Sequence, residues 1–149
     1  MQKIFKWGLV AVIWGAAALQ LTSPPLTNPP VLAGSDLLAT NPPPPDIAAL
    51  VKNACYNCHS YETKWPWYSG IAPFSWRIAS HVDGGRSMLN FSKWPYDHPA
   101  WVRKRWRRIA NAVEDGDMPV PSYALMHPNS RLTDQQRARL VQWARHAAQ

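Results

Sequence analysis

Cysteine is nearly absent from this sequence: its 149 residues include two. A structural zinc centre wants four ligands, usually with a second close-spaced pair, and no further cysteine exists to supply one. Strand signals are missing as well. No alternating pattern runs longer than a few residues, and there is no hairpin signal and no internal repeat, so the elements should be helices. Acidic residues are few, nine against sixteen lysines and arginines. Glu62, Asp83, Glu114, Asp115 and Asp117 read as solvated or capping groups, and no acid–base or nucleophile constellation calls for an enzyme. The formal charge of +7 suits an acidic protein partner, an anionic membrane surface or nucleic acid, and does not choose among them.

What is present in excess is tryptophan, nine residues, and proline, fifteen. Large rings bury much area per residue and help a small domain hold a core. The prolines cluster: eight fall in "TSPPLTNPPVLAGSDLLATNPPPP", residues 22–45. That composition sustains neither helix nor sheet and favours an extended polyproline conformation, so it reads as a stiff tether. Before it, Lys3 and Lys6 precede the apolar run "WGLVAVIWGAAALQL", residues 7–21, the pattern of an export signal. Ala16 and Ala18 offer a cleavage site, which would leave a soluble periplasmic product. The run nevertheless continues to Leu21 and approaches the roughly 20 residues of a membrane span, although Lys6 interrupts it. Residues 1–21 are therefore expected to stay as a single signal-anchor in the inner membrane, with the rest of the chain periplasmic.

Residues 46–149 should form the folded domain, with about four helices. "DIAALVKNACYNCH" has Asp46 as its N-cap and apolar residues at 47, 50, 51, 54 and 58. "FSWRIASHVDGG" is a second helix, stopped by Gly84 and Gly85. Asp97 precedes "HPAWVRKRWRRIANAVEDG", where Val102, Trp106, Ile109, Ala110 and Val113 share one face and Gly116 ends the run. "TDQQRARLVQWARHAA" opens on a capping box of Thr133 and Gln136 and buries Leu140, Val141, Trp143 and Ala144.

Both cysteines, Cys55 and Cys58, lie in "CYNCH", with His59 directly after them. Three readings compete. A redox dithiol usually follows a strand in a βαβ unit, and no strand precedes Cys55. Zinc would need a fourth ligand, and the other histidines (81, 98, 127 and 146) are scattered. Covalent haem attachment needs nothing more: two thiols at this spacing meet the two vinyl groups, and the next residue turns its imidazole to the iron. Haem also accounts for the aromatic excess, with Trp65, Trp67, Tyr68, Phe74 and Trp76 as candidates for the pocket wall. Met88, Met118, Met126, His81, His98 and His127 compete for the sixth position. Met118 stands in "EDGDMPVPSY", an irregular segment stiffened by Pro119, and such a segment can hold a thioether against iron.

These blocks together carry a resemblance. "CYNCHS", "WPWYSGIAPFSW", "HVDGGR", "NFSKW", "GDMPVPSYALMHP" and the closing "LT…LVQW" resemble the small haem-binding domain of membrane-tethered bacterial c-type cytochromes. The order of attachment motif, Met-Pro and terminal helix is similar to class I cytochromes c in general. The resemblance covers roughly residues 46–145. It implies an all-α, cytochrome c-like fold around one covalent haem c, with Cys55 and Cys58 as attachment points, His59 as proximal ligand and Met118 as distal ligand.

The expected function is a one-electron carrier, because His–Met ligation saturates the iron. The alternative is a haem-based sensor or ligand-binding module with the sixth position open or weakly held, where His81 and His127 would face a bound diatomic. "RKRWRR", residues 103–108, spreads its charges around the outer faces of an amphipathic helix. Such a face is usually solvated, and an exported domain rarely meets nucleic acid. A redox partner with acidic character is the expected partner, besides the membrane.

Overall fold

The computed structural model describes residues 2–94 and 98–149. The chain is all-α, with no strand among the described residues. Helix α1 (Gln2–Gln20) covers most of the N-terminal apolar run, and α2 (Leu37–Thr40) is a single turn. Helix α3 (Pro45–Val51) passes through a π-helical turn, Lys52–Tyr56, into α4 (Asn57–His59). Then follow α5 (Phe74–Met88), α6 (Pro99–Glu114), α7 (Pro121–Met126) and α8 (Asp134–Ala147). Short 3-10 turns at Trp67–Gly70, Phe91–Lys93 and Pro128–Ser130 connect them.

The core is centred on α6 and α8. Trp106 of α6 is fully buried, with Trp94 at 4.9 Å and Trp143 at 4.7 Å, both edge-on. Each such pair adds about 0.5–1.5 kcal/mol beyond area burial. Leu140, Val141 and Ala144 of α8 complete the seam, and Ile47, Val51, Tyr56 and Phe91 extend it toward the cysteines. The capping box at the start of α8 forms as expected: Thr133 Oγ1 accepts from Gln136 N, and Gln136 Oε1 accepts from Thr133 N. Gly116 terminates α6 with φ +81°, a conformation in which its missing Cβ matters.

Several boundaries differ from expectation. Pro44 caps α3 and Pro45 sits in its first turn, so Asp46 lies inside the helix. The fixed φ of proline suits a first helical position, where its missing N–H costs nothing. Helix α5 runs through Gly84 and Gly85 to Met88, because packing against α4 outweighs the weak helix propensity of glycine. Asp97, expected just before α6, lies outside the described residues.

The stretch 22–45, expected as a tether, lies along the domain. Asn28 Nδ2 donates to Thr63 O (2.8 Å), Ser35 O accepts from Trp94 N (2.8 Å), and Leu37 is fully buried in the core. The Asp36 carboxylate accepts from Tyr56 Oη at 2.9 Å. Burial, with this bond second, pushes the Tyr56 phenol well above its usual range. Helix α1 leaves apolar side chains exposed along its whole length, among them Ile4, Trp7, Val12 and Trp14. Among the described residues no helix is long and apolar enough to cross a membrane.

Candidate functional site

Cys55, Cys58 and His59 are presented by the continuous segment from α3 through α4. The π turn inserts a wider i→i+5 step where Cys55 sits, a deviation often found at functional positions. Both cysteines are free thiols and half-buried. Burial pushes the Cys55 thiol up to about 12, with the neighbouring Cys58 adding to it. Burial raises Cys58 too, while Arg86 pulls it the other way. A redox dithiol needs the opposite, a stabilised thiolate. Nor do Cys55, Cys58 and His59 converge as zinc would require: among the described residues no group of three or more His, Cys, Asp or Glu could hold one ion.

Helix α5 crosses directly over Cys58. A Cβ added to Gly85 would stand 2.5 Å from Cys58 O and 3.2 Å from Cys58 Cβ, so the crossing depends on glycine. The contact brings two α5-end carbonyls to His59. Its Nδ1 lies 3.0 Å from Gly85 O and 3.0 Å from Leu89 O. Both partners can only accept, so Nδ1 carries the proton and Nε2 of the neutral ring keeps its lone pair. Nε2 has no hydrogen-bond partner among the described residues. The ring is 8% exposed and packs on Phe91 at 5.7 Å.

The loop after His59 is heavily tied. Ser60 Oγ donates to Tyr56 O, Thr63 Oγ1 donates to Asn57 O, and Tyr61 N donates to Ser92 Oγ. Arg86 Nε donates to Ser60 O (2.8 Å), while its two other nitrogens reach Thr27 O, Asn28 Oδ1 and Thr63 Oγ1. One guanidinium thus ties α5, the post-histidine loop and the proline-rich stretch together. Sequence patterns gave no sign of this, since all four acceptors lie at least 23 residues from Arg86 in the chain.

Met118 is half-buried against the same core cluster as Cys55. Its N–H donates to Ala112 O (2.9 Å), and its carbonyl accepts from Arg137 Nη1 (3.3 Å). The segment beyond it returns to the cysteines: Tyr123 Oη accepts from Asn57 Nδ2 at 2.6 Å and lies near Cys55, Cys58 and Tyr68. Tyr123 also stacks on His127 at 4.1 Å. Met88, Met126, His81 and His98 are exposed. Met118 packs against the core cluster that includes Phe91, the ring on which His59 rests.

The five candidate wall rings divide. Trp65 and Tyr68 are half-buried, and Trp65 Nε1 is a buried donor with no acceptor among the described residues. Trp67 and Phe74 point outward, 83% and 58% exposed, and Trp76 Nε1 donates to Thr22 O. A groove of about 900 Å³ between α3 and α8 holds none of the site residues.

A family model described as a haem-binding domain matches residues 14–146. No curated protein and no solved structure matches the chain.

Proposed function

This chain belongs to the haem-binding domain family, and we propose that it is a monohaem c-type cytochrome carrying single electrons at the periplasmic face of the inner membrane. The observation that carries the reading is the state of His59. Its Nδ1–H is committed to two backbone carbonyls, which turns Nε2 to the ligand role in the segment that also carries both thiols. Metal-bound histidines are commonly oriented in this way, and the carbonyl partner makes the imidazole a better ligand.

The residues fit a haem. Cys55 and Cys58 would hold it through two thioether sulfurs, and His59 and Met118 would offer the iron a nitrogen and a sulfur ligand. Trp65 offers a buried N–H with no acceptor among the described residues, a costly state unless a bound group accepts from it, and haem brings carboxylates. When bound, the haem supplies a one-electron iron couple, and a methionine ligand sets it at higher potential than a second histidine would. The chain's own residues do the rest. Gly85 and Leu89 fix the imidazole. Ala112 and Arg137 hold the Met118 backbone. Were His59 and Met118 both to bind the iron, no position would remain for a substrate, which is why the reading is a carrier and not an enzyme.

Helix α1 serves as export segment and holds the domain at the membrane; the lysines before its apolar run support that orientation. Arg103, Lys104, Arg105, Arg107 and Arg108 of α6 present the charge that would steer an acidic redox partner. Absorption spectra of the oxidised and reduced protein, with and without carbon monoxide, test the proposal. A six-coordinate protein that ignores carbon monoxide is expected. Immediate uptake would replace the carrier with the sensor.

A further inference from the structure

The C-terminal end of α1 is bolted to the loop that leads into α5. The Gln20 side chain donates to Gly70 O and accepts from Ala72 N (3.1 Å), Trp76 Nε1 donates to Thr22 O (3.0 Å), and Ser23 Oγ meets Ser75 Oγ at 3.1 Å. These bonds span fifty or more residues of sequence separation. They prevent the domain from swinging freely about residue 21. On this loop and at the start of α5, Trp67, Ile71 and Phe74 are 83%, 42% and 58% exposed, and Leu21, next to Gln20 in the chain, is 90% exposed. The hydrogen bonds thus bring the end of an apolar helix to a segment that carries large exposed apolar side chains. Helix α1 is apolar around its circumference, and such a helix needs an apolar surround. Tryptophan and other amphipathic rings favour the headgroup level of a bilayer.

We infer that the face formed by Trp67, Ile71 and Phe74 seats in the phospholipid interface beside α1, so the domain is held against the membrane in one orientation. The inference rests on the membrane reading of α1 and goes beyond it, because an anchor alone would not set which face of the domain meets the membrane. Arg77, exposed one turn into α5, stands where it can meet lipid phosphates. A domain so held presents one fixed face outward to a redox partner.

The test uses the full-length haem-loaded chain in phosphatidylcholine–phosphatidylglycerol vesicles that contain a phospholipid with a photoactivatable diazirine near its headgroup. Labelled peptides are mapped by mass spectrometry. Label is expected on α1 and on peptide 67–76, and absent from the peptide holding Trp101, which is similarly exposed at 66%. Trp67→Ser with Phe74→Ser should keep the label on α1 and lose it from 67–76. Label on α1 alone would overturn the seating and leave the anchor intact. Label on neither would remove the anchor and the seating together. Equal label on the Trp101 peptide would show unselective contact and also overturn the inference.

Discussion

Gly85 and Cys58 touch backbone to backbone: a methyl group on Gly85 would stand 2.5 Å from the Cys58 carbonyl oxygen. This contact sets how close α5 lies to the CYNCH segment, and therefore whether His59 can reach the Gly85 and Leu89 carbonyls. Gly84, its neighbour, has open space around it. Gly85→Ala should thus destabilise the fold by about 1–3 kcal/mol, the range for overpacking, while Gly84→Ala should be neutral or slightly stabilising in a helix. Denaturant titrations of the two variants check this, and equal stabilities would show that the crossing relaxes freely.

Covalent attachment predicts that haem stays with the polypeptide on a denaturing gel. Cys55→Ala with Cys58→Ala should release it. Recovery of zinc and no haem from the purified wild type would overturn the assignment of both thiols.

Met118→Ala should lower the reduction potential and open the iron, so that the reduced protein binds carbon monoxide quickly. Met88→Ala and Met126→Ala, at exposed side chains, should leave the spectrum unchanged. Met118→His should restore six-coordination at a lower potential. Persistence of the sulfur-to-iron charge-transfer band in Met118→Ala would assign the distal ligand to another methionine.

Trp65→Phe separates the loaded from the unloaded chain by sign. In the loaded protein it removes a hydrogen bond to a charged acceptor and should cost about 1.5–3 kcal/mol. In the Cys55→Ala, Cys58→Ala chain without haem it removes a buried donor that lacks a partner, and stability should hold or rise. Equal losses in both would mean that the indole N–H does not serve the haem.

Electron transfer to an acidic partner should slow as salt rises, because charges on exposed faces are screened over about 8 Å at physiological ionic strength. Arg103→Gln with Arg107→Gln should flatten that dependence. A wild-type rate already flat with ionic strength would leave the cations of α6 as a solvated face only.

Much of the candidate site could be read from sequence because its information is local. CYNCH places two thiols and an imidazole within one helical turn, and spacing alone restricts what they can hold. The capping box at Thr133 and the stop at Gly116 are local as well, each a matter of one turn's backbone donors or one residue's φ. Gly85 shows where local reasoning fails. In sequence a Gly-Gly pair signals a helix end, yet the helix continues because the space taken by Cys58 demands a residue without Cβ. The prolines at 22–45 likewise exclude helix locally but cannot tell a free tether from one packed along the domain. Bonds from Asn28, Ser35 and Asp36 to partners far along the chain decide that. The sequence by itself determined the helical class, the spacing of Cys55, Cys58 and His59 and the charge of α6, since composition and short-range spacing encode them. Only the tertiary structure decided which His59 nitrogen is free, that Trp65 keeps an unmatched N–H, and that Arg86 joins three segments, because each depends on atoms that folding alone brings together.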